Sequence, residues 1–146
     1  MKKLYKTALC LLAAVWMSVP LTTGGTEVIA HREVVETGVQ RTTVRAIFMG
    51  NITRWGNGRP IVVVVLPADH PTTKSFAWDI LHMTPYAFEE RISSMVATRD
   101  GNPPRVVSSE QEMLRVVAST PNSVGYLSSM IVINNANTTF RVIPVL

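Results

Sequence analysis

The stretch Ile47-Phe48-Met49-Gly50-Asn51-Ile52-Thr53-Arg54-Trp55-Gly56-Asn57-Gly58-Arg59-Pro60, running into Ile61-Val62-Val63-Val64-Val65-Leu66, decides the fold. Gly50 stands where a helix closes on a left-handed residue, and Gly56-Asn57-Gly58 offers the positive-φ positions of a turn. Six unbroken apolar residues then follow, with no polar alternation, so the strand they form is covered on both faces. Such strands belong to parallel sheets in α/β folds, whose ligands bind at the carboxyl ends of the strands.

Working outward, Glu27–His31 reads as a first strand, and Thr42-Thr43 as the cap of a helix carrying Val44, Ile47 and Phe48 inward. Beyond Leu66, Pro67-Ala68-Asp69-His70-Pro71-Thr72-Thr73 forms a strand-to-helix loop. Phe76, Ile80, Leu81 and Met83 line the helix that follows. A further helix begins with Thr84 as cap and Pro85 at its first position, and the loop formers from Arg99 to Pro104 break it. Ser109-Glu110-Gln111-Glu112 is a capping box for the next helix, which ends at Pro121-Asn122. Val124–Leu127 is extended, and Ile131–Ile133 and Phe140–Val145 are expected as closing strands. The order of elements predicts one α/β domain.

The amino terminus carries Lys2, Lys3 and Lys6 and then an apolar run from Ala8 to Leu21, shorter than a membrane span and ended by Thr22-Thr23-Gly24-Gly25. Residues 1–25 read as a secretory signal peptide cleaved before Thr26; the other reading is an uncleaved anchor. Cys10, the chain's single cysteine, leaves with the signal, so neither disulfides nor a thiolate metal site is available to residues 26–146. Removing the leader lowers the net charge from +4 to +1. The remaining basic residues are dispersed singly, which argues against a nucleic-acid surface.

The central stretch resembles a family. Its pattern, I-F-x-G-x-I-x-x-W-x-(D/N)-G-x-x-I before a hydrophobic strand, is similar to the second lobe of phosphate-binding proteins of ABC transporters, in the type 2 periplasmic-binding superfamily. Thr120-Pro121-Asn122-Ser123-Val124-Gly125-Tyr126 resembles a later motif of the same family, so the resemblance covers roughly Glu27 to Tyr126. It implies a single lobe of a type 2 periplasmic-binding-protein-like fold, with a mostly parallel sheet flanked by helices. It also implies a periplasmic protein that binds phosphate or a related small oxyanion for uptake or sensing. An ABC transporter permease or a membrane sensor is the implied partner, with no cofactor. A lone lobe offers half a cleft, which a second copy or another protein would complete.

In the resembled family the loop after this strand reads R-A-D-G-S-G-T, and its arginine, serine and amides hold the oxyanion. Here only Ala68-Asp69 and Thr73 agree; Pro67 replaces the arginine, and Pro71 replaces the serine and deletes an N–H. The candidate anion ligands are therefore Thr72, Thr73 and Lys74 at one helix start, with Ser108 and Ser109 at a second. Simple N-capping is the competing role for both. Trp55 is expected to pack over the turn with its indole N–H on a carbonyl, and Gly125 to let strand and neighbour approach. For catalysis, His31, His70 and His82 are scattered, and neither a Gly-x-Ser-x-Gly elbow nor a glycine-rich phosphate loop occurs. The residues point to a binding protein, or alternatively to a degenerate single-lobe interaction module of the cell envelope without a ligand of its own.

Overall fold

The computed structural model describes residues 24–99, 101–135 and 139–146. The expected leader and Cys10 therefore lie outside the described residues, apart from the leader's last two positions, Gly24 and Gly25. In chain order the elements are β1 Thr26–His31, α1 Arg41–Phe48, β2 Val62–Val65, α2 Pro71–Ser75 and a π-helical turn Phe76–Ile80. They continue with α3 Pro85–Thr98, β3 Arg105–Val106, α4 Glu110–Ser119, β4 Ser123–Ser128, α5 Ser129–Asn134 and β5 Phe140–Ile143.

The strands form one sheet in the order β3-β2-β4-β1-β5. β2 pairs in parallel with both β3 and β4, with Val64 opposite Arg105 and Val62 opposite Ser123. β1 runs antiparallel to β4 on one side and to β5 on the other, with Ile29 opposite Gly125 and Val142. The sheet is thus parallel in direction except for β1. The all-apolar β2 lies inside the sheet as its pattern predicts, but only its second half is fully covered: Val64, Val65 and Leu66 are buried, whereas Val62 and Val63 are half-buried.

Several elements start where local chemistry places them. Thr84 caps α3 by accepting from Ala87 N at 3.2 Å, with Pro85 at the first helical position. Gly50 closes α1 at φ 76, and of the glycines in the turn before β2 it is Gly58, not Gly56, that takes positive φ (82). α1 itself begins earlier than the expected Thr42-Thr43 cap. Gln40 is the N-cap without a side-chain bond, and Arg41 N is satisfied instead by Leu146 O at 3.0 Å.

Ile131–Ile133 corrects the sequence expectation, since these residues are helical (α5) rather than a strand. The reason lies in the sheet. β4 is flanked by β1 and β2, β1 is already at its first residue where Thr26 faces Ser128, and β2 pairs only with the start of β4. Past Ser128 no ladder partner remains, so the backbone groups are satisfied within a helix. Ser129 anchors that helix, its N–H and hydroxyl both donating to Gly25 O at 2.8 Å.

The core has two sides, one where α1, the π-helical turn and α3 cover the sheet and one where α4 covers it with Met113, Val116 and Val117. Phe76 stacks on Tyr126 with ring centroids 4.1 Å apart and planes 7° from parallel, and meets Phe48 edge-on at 4.8 Å. Gly125, next to Tyr126 in β4 and so facing the other side of the sheet, is required there: a Cβ would stand 2.4 Å from Met113 Sδ, so only glycine lets α4 sit this close to β4. Trp55 is buried and donates its indole N–H to Asn122 O at 2.9 Å, fastening the turn before β2 to the turn before β4.

Candidate functional site

The Pro67–Thr73 loop leaves the carboxyl end of β2 and opens α2, the position where α/β folds hold ligands. Its inner wall is a closed chain of hydrogen bonds. Leu66 N donates to Tyr126 Oη at 3.0 Å, Tyr126 Oη and Thr73 Oγ1 are 2.9 Å apart, and Thr73 Oγ1 donates to Pro67 O at 2.9 Å. Because the threonine proton goes to Pro67, the phenol must donate to Thr73, and each donor in the chain has an acceptor. Burial pushes the Tyr126 phenol up to about 12, against the opposing pull of the bonds from Thr73 and Leu66.

Thr73 is 1% exposed, and its hydroxyl points into this network rather than outward. Thr72 is buried, and its N–H is taken by His70 Nδ1 at 3.2 Å, so a histidine that reads as a polar loop residue is the N-cap of α2. Lys74 is exposed in the last turn of α2. Behind the loop, a cavity of about 200 Å³ separates Leu66, Pro67 and Thr73 from Phe88, Glu89 and Ser93 of α3. Glu89, an exposed residue of α3, is part of its wall.

The second helix start is filled from within. Ser109 Oγ accepts from Glu112 N at 3.1 Å, as its capping box predicts. The Glu112 carboxylate reaches back beyond Ser109 to Ser108, accepting from its N–H at 2.7 Å and from its hydroxyl at 2.6 Å. These two bonds, side chain first, hold the Glu112 carboxyl below its ordinary value. Glu110 Oε1 accepts from Ser128 N at 2.6 Å and ties α4 to the end of β4. A carboxylate of the chain itself thus occupies the seat that Ser108 and Ser109 would offer an oxyanion.

The three histidines stay apart and locally bonded: His31 Nδ1 accepts from Glu33 N at 3.3 Å, and His82 Nε2 accepts from the Arg41 guanidinium at 2.8 Å. Among the described residues no cluster of His, Cys, Asp and Glu could hold a metal ion. Nor is any helix among them long and apolar enough to cross a membrane. Sequence reasoning missed the part played by His70, and it placed Glu112 in a capping box without foreseeing that its carboxylate seats on Ser108. His70 directly precedes a Pro at a helix start, and Glu112 is the last residue of the capping box, so both signals were present.

Among the solved structures that share this architecture are binding proteins of phosphate transport. One, described as a phosphate ABC transporter substrate-binding protein with bound phosphate from Clostridium perfringens, matches with a TM-score of 0.62 at 18% identity, over 84% of this chain and 45% of that one. PstS from Borrelia burgdorferi gives 0.62 at 19% identity, over 84% and 47%. An ABC-type phosphate transport receptor from Vibrio cholerae gives 0.56 at 22% identity, over 82% and 45%. The fold is that of one lobe of a phosphate-type binding protein. The chain spans less than half the length of these solved proteins. No family model and no curated protein matches its sequence.

Proposed function

We propose that this chain is an exported, single-lobed binding protein of the phosphate-transport type, released by cleavage of residues 1–25 and working in the periplasm in uptake or sensing of phosphate or another small oxyanion. The observation that carries the reading is the position of the Pro67–Thr73 loop. It joins the carboxyl end of β2 to the start of α2 in a fold whose solved examples include one with phosphate bound. In this reading the anion meets Lys74 and the first-turn backbone at Thr72 and Thr73, while the Thr73 hydroxyl keeps its structural bonds. Pro67 and Pro71 withhold donors, and His70 must give up the Thr72 amide, so affinity for one lobe is weak. A permease or membrane sensor is the partner, and a second lobe, from another copy or another protein, closes the cleft.

A second reading has its own observation. Both helix starts are satisfied by the chain's own side chains, His70 at α2 and Glu112 with Ser109 at α4. That favours a lobe kept as an envelope interaction module with no ligand of its own. Calorimetric titration of residues 26–146 with phosphate and sulfate separates the two. Heat that saturates, and that falls when Lys74 becomes Met, supports oxyanion binding; a silent titration beside a stable complex with an envelope protein supports the module.

A further inference from the structure

The cavity of about 200 Å³ behind the Pro67–Thr73 loop adjoins both ends of that loop, because Pro67, Ala68 and Thr73 are all part of its wall. Leu66 at the end of β2 and Phe88 of α3 are its buried apolar members. Half-buried Ile92 and the exposed Val106 of β3 extend the apolar wall outward, where the exposed Ser93 joins them.

These walls suit a hydrocarbon better than water or an inorganic ion. A water held inside a protein needs about two to four polar partners. The buried hydroxyl of this wall is already committed, since Thr73 Oγ1 donates to Pro67 O at 2.9 Å and accepts from Tyr126 Oη at 2.9 Å. Inorganic phosphate at the loop would therefore leave the apolar wall uncovered. The loop is at the same time poor in donors for an anion: Pro67 and Pro71 have no N–H, and His70 Nδ1 takes the amide of Thr72. Burial of an apolar group in the adjoining cavity can supply the affinity that the missing donors do not.

We propose that the oxyanion served by this loop is an organic one, a phosphonate or phosphate monoester whose uncharged apolar substituent fills the cavity between the loop and α3. This rests on the oxyanion reading above and names the class of ligand within it. An apolar cavity of about 150 Å³ takes up benzene, so this one has room for a phenyl ring or a chain of about four carbons. The exposed residues Ser93 and Val106 put the open side of the cavity at the surface, where the substituent can enter.

The test is a calorimetric titration of residues 26–146 with phosphate and with methyl-, ethyl-, propyl- and butylphosphonate, repeated by NMR on methyl-labelled protein. Affinity is expected to rise about three- to fourfold with each added methylene. The Ile92 and Val106 methyl signals should shift with butylphosphonate and stay in place with phosphate. 1-Butanol, which has the apolar group without the anion, should bind at least about tenfold more weakly than butylphosphonate. Phosphate binding with a flat phosphonate series overturns the proposal and leaves the oxyanion reading standing. Butanol matching butylphosphonate, or a rising series that leaves both methyl signals unmoved, also overturns it. If neither phosphate nor any phosphonate binds, the oxyanion reading falls, and this proposal with it.

Discussion

Thr73 and Tyr126, 53 residues apart in the chain, share a hydrogen bond of 2.9 Å in the protein interior, and through it the start of α2 is tied to β4. Thr73→Val keeps the shape but strips Pro67 O of its donor and the phenol of its acceptor. We expect a loss of about 1–3 kcal/mol in urea unfolding, the usual cost of leaving buried polar groups unpaired. Tyr126→Phe should cost a similar amount by orphaning Leu66 N. Because the two changes break one network, the double variant should lose less than the sum of the singles.

The same phenol supplies a prediction in alkali. Its folded value of about 12 stands above the model-peptide value near 10, so the unfolded chain gives up this proton first. The contribution is intact below pH ~10 and is lost as pH rises towards about 12. A spectrophotometric titration of tyrosinate should show a late component that is missing from Tyr126→Phe. A component lost in that variant at the ordinary value would contradict the buried, bonded phenol.

At Gly125 the expected outcome follows from a distance. An added methyl would stand 2.4 Å from Met113 Sδ and 3.3 Å from Val117 Cγ2, and Met113 is fully buried. Gly125→Ala should therefore destabilise by about 1–3 kcal/mol through overpacking. Met113→Ala alone should cost about 2–5 kcal/mol by opening a cavity. Together they should cost less than their sum, because the new methyl fills part of the space the methionine left. Thermal unfolding of the three variants measures this.

What could be read from the sequence was what neighbours in the chain decide. Thr84 before Pro85, Ser109 before Glu112 and the run from Ile61 to Leu66 carry their own structural instructions, and the structure follows them. What the sequence could not announce is non-local. Ile131–Ile133 has strand chemistry, but its would-be ladder partners end at Thr26 and Val65, so it coils. The reversed direction of β1 follows from pairing with β4 and β5, which no residue of β1 announces. Thr73 looks like a ligand for an incoming anion until Tyr126 arrives from elsewhere in the chain and claims its hydroxyl. Ser108 looks equally available until the Glu112 carboxylate folds back over it.

That last contact gives a prediction in acid. Glu112 is held below the ordinary value of 4.5 chiefly by the hydroxyl of Ser108 and then by its backbone N–H. A depressed carboxyl value means that the unfolded chain takes up the proton first. The stabilisation is therefore complete above pH ~4.5 and is lost as pH falls through the lower, folded value. NMR titration of the Glu112 carboxyl should give a midpoint below 4.5. Ser108→Ala should move that midpoint upward without fully restoring it, since the Ser108 N–H at 2.7 Å survives the substitution. Glu112→Gln should remove the pH dependence while keeping an acceptor for both Ser108 donors. If Ser108→Ala leaves the midpoint in place, the carboxylate is not seated on Ser108 in solution, and the start of α4 is open to an external anion after all.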